Sequence, residues 1–265
     1  MDDALAYDVV TDDSGRELLR FVPMQEIAGA DFAEPLVGVD DVVPAVLAAM
    51  PGWTLSSSDD ALIDALVEAG ATQTRHSHGY TIDLQDPPPD PAWMQPELPH
   101  GVRILSDIPS DILSDGVSLR DQGELSVRAY PHGHADHDGG DPEHAATMLA
   151  RLYGGRYIGP VLDATGLVLD ADRLVGVVIV NRMPGLAPWG GPWVSEIFRD
   201  PHPRYARLGA ALLRRAMAIL ASEGESSLSL VVTDGNPARS LYERLGFRYV
   251  GSSRKVKLPD LALTR

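Results

Sequence analysis

The sequence predicts an α/β fold, in which helices flank a mixed, largely antiparallel central sheet and a smaller α/β domain precedes the main one. Three observations support this prediction. From residue 101 onward, segments with strand-like and helix-like apolar periodicity alternate along the chain. Six prolines fall within residues 85–100, where they interrupt regular structure. On both sides of that stretch the pattern helix, glycine, long strand occurs.

Composition limits the function. The chain has 265 residues, no cysteine and a net charge of −16, so disulfides and thiolate metal sites are excluded and general nucleic-acid binding is disfavoured. The first ten residues lack the basic and apolar regions of a secretion signal, and the longest apolar run is too short to cross a bilayer. We therefore expect a soluble, cytoplasmic protein that does not enter the membrane.

The charge is unevenly distributed. Residues 199–257 contain eleven basic and five acidic side chains, a net charge of +6, so the rest of the chain carries −22. This asymmetry predicts that the basic part holds an anionic cofactor and that the acidic part receives a cationic substrate. The alternative is an acidic surface that serves only solubility.

The proline-rich stretch predicts three parts: a small α/β domain at 1–85, a linker at 86–100 and a larger domain at 101–265. Helices are predicted at residues 41–50 and 58–70, the second capped by Ser58 or Asp59, and a strand at 72–84.

In the larger domain, the run "LVLDADRLVGVVIV" predicts two strands joined in a hairpin at "DAD". Two long amphipathic segments predict helices, of which one begins at Asp141 and the other covers residues 204–224. The remaining predicted elements are strands at 101–108, 192–200, 226–234 and 247–258, a helical region ending near Arg128, and a helix at 236–246.

The loop "PHGHADHDGG" contains His132, His134, Asp136 and His137 in the order H-x-H-x-D-H. That order resembles the zinc-binding stretch of the metallo-β-lactamase superfamily, which would imply a zinc-dependent hydrolase. Such a site needs a buried strand directly before the loop, and the preceding residues "DQGELSVRAYP" are polar. A polar loop between two helices is the alternative.

A predicted strand runs into a long helix across a turn that contains Pro201 and Pro203. The first N–H groups of a helix have no backbone acceptor, and the helix dipole adds positive potential, so such a junction binds anions. Arg204 and Arg207 add positive charge, and Gly209 allows close approach of a ligand or of the sheet.

This turn resembles the acetyl-CoA motif of the GNAT N-acetyltransferase superfamily, P-x-x-[RQ]-x-x-G-x-[GA]. Pro201 and Arg204 match its first half and Gly209 its last position, whereas Arg207 occupies the place of the middle glycine. A second resemblance to the family follows in "VVTDGNPARSLYERLGF", where the matching residues are Asn236, Ala238, Leu241, Tyr242, Gly246 and Phe247.

The resemblance covers roughly residues 100–258 and implies a GNAT-type fold. It implies an acetyl-CoA-dependent N-acyltransferase that transfers an acetyl group to a primary amine of a small, cationic molecule. Acetyl-CoA would be the co-substrate, no metal is expected, and a homodimer is the oligomer that the fold suggests. The first segment resembles, more faintly, the truncated amino-terminal repeat of tandem members of the family.

The resemblance also assigns roles to residues. Tyr242 would be the general acid for the leaving thiolate, Glu196 the general base, and Asn236 a ligand of a pantetheine amide. In the loop described above, His134, Asp136 and His137 would line the acceptor site. The pantetheine would run along Ile197, Phe198 and Arg199, and the diphosphate would bind at Arg204, Tyr205, Ala206, Arg207, Leu208, Gly209 and Ala210.

Arg207 leaves a second hypothesis open. An arginine in place of a motif glycine reduces backbone access, which favours a catalytically inactive acyl-CoA-binding or partner-binding module on the same fold. The zinc-dependent hydrolase is the third hypothesis.

Overall fold

Residues 7–24, 28–105, 117–155 and 158–260 are described by the computed structural model. They divide into two units. One comprises the residues up to Gly79 together with those from Gly251 onward, and the other comprises Tyr80–Val250. Within the described ranges, no helix combines the length and the apolar character that crossing a bilayer requires.

The first unit contains two helices and a sheet whose strands follow the order β1-β2-β3-β4-β11-β5. The pairs β1/β2, β2/β3 and β4/β11 are antiparallel, whereas the pair β3/β4 is parallel. The elements are β1 (Asp8–Thr11), β2 (Glu17–Pro23), β3 (Gly29–Pro35), α1 (Val39–Ala49), β4 (Thr54–Ser57), α2 (Asp60–Glu68), the residues of β5 (Thr72–Asp83) up to Gly79 and those of β11 (Arg248–Lys257) from Gly251.

Helix α2 shows how the sequence sets an element of this unit. The Asp59 carboxylate accepts the Leu62 N–H at 2.8 Å and caps the first turn, as predicted. Its apolar side buries Leu62, Ile63 and Leu66, which share a core with α1 and β2. Gly70 follows the helix with φ +101°, a conformation that glycine adopts without steric cost.

The second unit has a sheet in the order β5-β10-β9-β8-β7-β6 with helices on both faces. The pairs β6/β7, β7/β8 and β8/β9 are antiparallel, and β9/β10 is parallel. Its elements, besides the ends of β5 and β11, are β6 (Val102–Leu105), α3 (Leu119–Ala129), α4 (Pro142–Tyr153), β7 (Gly166–Asp170), β8 (Arg173–Met183), β9 (Gly191–Arg199), α5 (Leu208–Ser222), β10 (Ser227–Thr233) and α6 (Arg239–Arg244).

Strand β8 separates two apolar cores in this unit. Val178 and Val180 share one core with α5 and α6, while Val177 and Ile179 share the other with α3 and α4. Burial on both faces explains why β8 is an almost continuous apolar run rather than an alternating one. The predicted class, an α/β fold with a largely antiparallel sheet flanked by helices, is confirmed.

Two boundaries differ from the sequence prediction. The structure groups Gly251 onward with the first unit, because residues Arg254–Lys257 of β11 pair with β4. The proline-rich stretch is not a plain extended linker, since Pro91–Met94 form a 3₁₀ turn and Trp93 packs against the core that contains α5. Residues 106–108 of the strand predicted at 101–108 and the start of the helical region after it lie outside the described residues.

Candidate active site

The parallel strands β9 and β10 separate part-way along their length. Their pairing is confined to Ser229 opposite Trp193 and Leu230 opposite Val194, although β9 continues to Arg199 and β10 to Thr233. The register between β8 and β9 shifts at the same level, because Ile179 lies opposite Glu196 and Val180 opposite Val194. This β-bulge at Ser195 bends β9 and opens a gap between β9 and β10.

Two residues of β9 direct their backbone polar groups away from β8, on the side of this gap. Asp200 N–H donates to Val175 O at 2.9 Å, which fixes the phase of the antiparallel β8/β9 ladder. Bonded and non-bonded residues alternate in such a ladder, so the N–H and C=O groups of Ile197 and Arg199 point away from β8. An extended ligand in the gap would meet those groups as a neighbouring strand does.

Tyr242 is 5% exposed and lies on α6 beside Phe247, in the core that also contains α5. Burial raises the pKa of its phenol well above the ordinary value of 10, and the negative charges of Glu196 and Asp136 raise it further. The phenol is therefore a proton donor throughout the physiological pH range. The charge of Glu196 contributes to this shift, so the two residues predicted as acid and base interact electrostatically.

Glu196 is a partly buried residue of β9 and is bonded to a residue that the sequence analysis did not single out. The hydroxyl of Tyr130, directly after α3, lies 3.3 Å from Glu196 Oε2 and 3.1 Å from the carbonyl oxygen of Ile197. Burial raises the pKa of Tyr130 well above 10, with contributions from the charges of Glu196 and Asp136.

Asp136 joins the histidine-rich loop to the end of β10. Its carboxylate accepts the Thr233 hydroxyl at one oxygen and the Asn236 side-chain amide at the other. The Asn236 side-chain oxygen in turn accepts the Ala238 N–H at 2.7 Å, which fixes the start of α6. Asp136, Asn236 and Tyr242 are thus brought together, as a shared site requires.

The two predicted loop histidines have defined hydrogen bonds. His134 Nδ1 accepts the Asp136 N–H at 3.1 Å, so its neutral ring carries the proton on Nε2, and the ring lies 5.0 Å from that of Tyr130. His137 Nδ1 bonds to Tyr130 O at 2.9 Å and must be the donor, because a carbonyl only accepts. The Nδ1 atoms of both rings are thus hydrogen-bonded to backbone groups in or next to the loop, whereas the zinc hypothesis requires imidazole nitrogens to converge on one point.

The turn after β9 has its own network. The buried carboxylate of Asp200 pairs with Arg173 and with Arg128 and accepts the His202 N–H at 3.0 Å. Arg199 donates to Asp200 O at 2.7 Å. These contacts fix the turn before α5 to α3 and to β8.

The structure divides the predicted cofactor-binding residues, those for the diphosphate and Phe198 for the pantetheine, between the core and the surface. Tyr205 and Leu208 are buried in the core below α5, and Phe198 in the core below α3 and α4. Arg204 bonds to the His100 carbonyl at 2.6 Å and lies 3.4 Å from Asp170, which also accepts the Tyr205 hydroxyl. Ala206 and Arg207 are exposed, and Gly209 and Ala210 are partly exposed.

Helix α5 begins at Leu208, after a 3₁₀ turn at Pro203–Tyr205, rather than at Arg204 as predicted from sequence. The N–H groups of Tyr205 and Ala206 are used inside that turn, and Ala211 N–H is bonded to Arg207 O. The N–H groups of Leu208, Gly209 and Ala210 precede this helical hydrogen bond, so they are the amides that an anion can use.

Arg207 does not strain the turn. Its backbone has φ −99° and ψ −2°, a region open to any residue, and its side chain is exposed. A glycine is therefore not needed at this position for the chain to turn. The departure from the motif therefore introduces no backbone strain at this turn.

Two site residues escaped sequence reasoning, Tyr130 and Thr233. Tyr130 directly precedes the histidine-rich loop, and Thr233 lies near the end of the strand predicted at 226–234, three residues before Asn236. Their adjacency to singled-out segments was the only signal, because neither has a characteristic spacing of its own.

Comparison with protein families matches residues 127–247 to the acetyltransferase (GNAT) family. Residues 127–247 form a GNAT domain. That range contains every residue of the cluster and both motifs, which confirms the resemblance seen in the sequence. Comparison with curated protein sequences gives no match.

Solved structures share the fold of the GNAT domain and of the preceding segment. A GCN5-related N-acetyltransferase from Sphaerobacter thermophilus has a TM-score of 0.62 at 16% identity, covering 99% of this chain and 84% of that one. One from Kribbella flavida has 0.56 at 18%, covering 98% and 91%. A tandem GNAT protein from the clavulanic acid biosynthesis pathway has 0.57 at 14%, covering 97% and 83%. Coverage by a tandem protein fits a GNAT-like amino-terminal repeat.

Proposed function

We propose that this protein is an acetyl-CoA-dependent N-acetyltransferase whose acceptor is a primary amine of a small, cationic molecule. The observation that supports this most is that Glu196 lies on β9 just beyond the end of its pairing with β10 and that its charge acts on the buried phenol of Tyr242. Membership of residues 127–247 in the GNAT family supports acetyl transfer at the level of the family. The acceptor class is inferred from charge and chemistry.

Different residues carry out the two proton transfers of the reaction, removal from the amine and donation to the thiolate. Glu196 accepts a proton from the acceptor ammonium, directly or through water, and leaves a neutral amine able to attack the thioester carbonyl. As the new C–N bond forms and the C–S bond breaks, Tyr242 donates its proton to the departing sulfur. The nitrogen loses a second proton as it becomes an amide, and that proton restores the Tyr242 phenol, directly or through water. The acetyl group thus passes to nitrogen and the thiol of CoA is released.

The groups that would hold acetyl-CoA fit this assignment. The amides of Leu208, Gly209 and Ala210, with Arg207 beside them, would bind the diphosphate. The backbone groups of Ile197 and Arg199 that point away from β8 would pair with the pantetheine arm. When bound, acetyl-CoA supplies the activated thioester.

A cationic acceptor is inferred from the charges of the cluster. Burial disfavours ionisation of both Tyr130 and Tyr242, and the negative charges of Glu196 and Asp136 add to that effect, which supports a negative local potential. An ammonium group is stabilised in such a place, and His134 and Asp136 lie on the loop that would meet it. The cytoplasmic location of the protein and its assembly as a homodimer remain predictions.

The test combines binding with turnover. Calorimetric titration with CoA and acetyl-CoA is expected to give saturable binding, and release of free thiol from acetyl-CoA is expected with members of a panel of mono- and polyamines but not with neutral alcohols of equal size. Binding without thiol release for any amine would favour the inactive acyl-CoA-binding module. Absence of binding at millimolar CoA would contradict both.

A further inference from the structure

We propose that Tyr130 is a positioning residue that competes with the pantetheine arm for the Ile197 carbonyl and, when displaced, turns its hydrogen bond to Glu196. Arrival of the co-substrate would in this way align the general base. The inference rests on the proposed function, because it assumes that CoA occupies the gap between β9 and β10.

The Tyr130 hydroxyl has one hydrogen to donate and two acceptors within reach. The Tyr130 hydroxyl lies 3.1 Å from Ile197 O and 3.3 Å from Glu196 Oε2, and both are acceptors when the glutamate is ionised. A phenol has one hydrogen, so it makes a full hydrogen bond to one of these oxygens at a time. The hydroxyl therefore has two alternative donor states of nearly equal geometry.

The rest of Tyr130 is held in place. Its N–H donates to Ser126 O at 2.9 Å as α3 ends, and its carbonyl accepts the bond from His137 Nδ1. Its ring contacts Phe198, with centroids 6.1 Å apart, and His134. Switching between the two acceptors thus needs only rotation of the O–H bond, with no movement of the backbone.

Ile197 O is the acceptor that a ligand in the gap would also use. The β8/β9 register directs this carbonyl away from β8, and the pantetheine arm of CoA carries two amide N–H groups. A pantetheine amide that donates to Ile197 O takes the place of Tyr130, whose hydrogen then bonds to Glu196. Charged and titratable groups around Glu196 are Tyr130 from the end of α3, Asp136 from the loop and Tyr242 from α6.

The sign of an affinity change tests the competition. Tyr130→Phe removes the competing donor, so CoA is expected to bind about two- to tenfold more tightly, the range of one ordinary hydrogen bond. Turnover is expected to fall while the KM for acetyl-CoA also falls, since the base loses its donor. Adenosine 3′,5′-bisphosphate, which lacks the pantetheine arm, is expected to bind both proteins equally.

Tyr153→Phe is the matched control. Tyr153 lies on α4, packs against the same core as Tyr130 and donates to Gln122 Oε1 at 2.8 Å. Its variant is expected to bind CoA as the wild-type protein does. Simple structural damage by Tyr130→Phe would leave CoA affinity equal or weaker, and either result would overturn the inference.

A second measurement needs no loss of the hydroxyl. With 3-fluorotyrosine incorporated at position 130, the ¹⁹F resonance is expected to move on addition of CoA and to stay in place with adenosine 3′,5′-bisphosphate. A resonance that is unchanged by saturating CoA would refute the switch. If instead the wild-type protein bound no CoA at all, the proposed function itself would fail, which is a distinguishable result.

Discussion

The turn after β9 and the gap beside β9 are neighbours along one strand, yet they are built in opposite ways. The turn and the start of α5 come from one continuous segment, residues 200–210, and its Arg204 and Arg207 side chains are exposed and basic. The gap cluster comes from the end of α3, the loop at 131–140, β9, the end of β10 and α6, and its carboxylates and phenols are largely removed from solvent.

This difference separates two kinds of work. An anion whose charge does not change can be bound at the surface by helix amides and arginines, so its site needs little burial. Proton transfer requires groups whose pKa values depend on desolvation and on charges from several elements. The comparison predicts that changes in the turn alter binding and that changes in the gap alter turnover.

The largest effect is expected from Tyr242→Phe. Loss of the proton donor should lower turnover about 10²- to 10⁴-fold, the usual contribution of a general acid, while the Kd for CoA stays near that of the wild-type protein. Steady-state thiol release and calorimetry on the same preparations measure both. Wild-type turnover in this variant would remove Tyr242 from the reaction.

The turn is tested by Arg207→Glu. Charge reversal beside the first amides of α5 is expected to weaken CoA binding about tenfold and to leave turnover at saturation nearly unchanged. Arg214→Glu is the control, because it makes the same charge change at an exposed position further along the same helix. Equal weakening by both variants would point to overall charge rather than to a local anion site.

The buried phenol of the gap also predicts a pH dependence of stability. The pKa of Tyr242 is raised on folding above its unfolded value of about 10, so its contribution is complete below pH 10 and is lost as pH rises above it. The free energy of unfolding should therefore fall there, with a contribution from Tyr242 approaching 1.4 kcal/mol per pH unit. Urea denaturation between pH 8.5 and 11 measures this slope.

Tyr242→Phe serves as the comparison for that slope. The variant cannot ionise at position 242, so its stability should decline less steeply above pH 10 than that of the wild-type protein. Identical slopes would mean that the phenol is not desolvated in the folded state.

The smallest effect is expected from Asp136→Asn. The new side chain keeps an oxygen for Thr233, but its amide cannot accept a bond from the Asn236 amide, so the loop loses one anchor. Removal of the charge also weakens the attraction of an ammonium ion. We expect kcat/KM for the best amine of the panel to fall about three- to tenfold.

Asp138→Asn controls for this change, since Asp138 is an exposed residue of the same loop. It is expected to leave kcat/KM unaltered. If both variants behaved alike, the loop would belong neither to the gap nor to the acceptor site.

Sequence reasoning recovered most of the elements of the second unit because its cues are local. The Asp141 cap of α4, the "DAD" hairpin of β7 and β8 and the strand–turn–helix order of β9 and α5 all lie within short windows. It assigned nothing to β1, β2 and β3. Their residues alternate too irregularly between buried and exposed positions for a period to be read, and the β1/β2 and β2/β3 registers each contain a shift.

The sequence alone determined the α/β class and the two GNAT motifs, and it predicted Asn236 and Tyr242 from motif spacing and Glu196 from its place on a strand. Only the tertiary structure decided that Tyr130 bonds to Glu196, that Asp136 bonds to Thr233 and Asn236, and that Arg204 is engaged by Asp170. Contacts between residues 34 to 100 positions apart depend on strand order and on the bulge at Ser195, which no local pattern encodes. The sequence therefore supplies the titratable side chains, whereas their pKa values depend on the burial and the neighbouring charges that the fold creates.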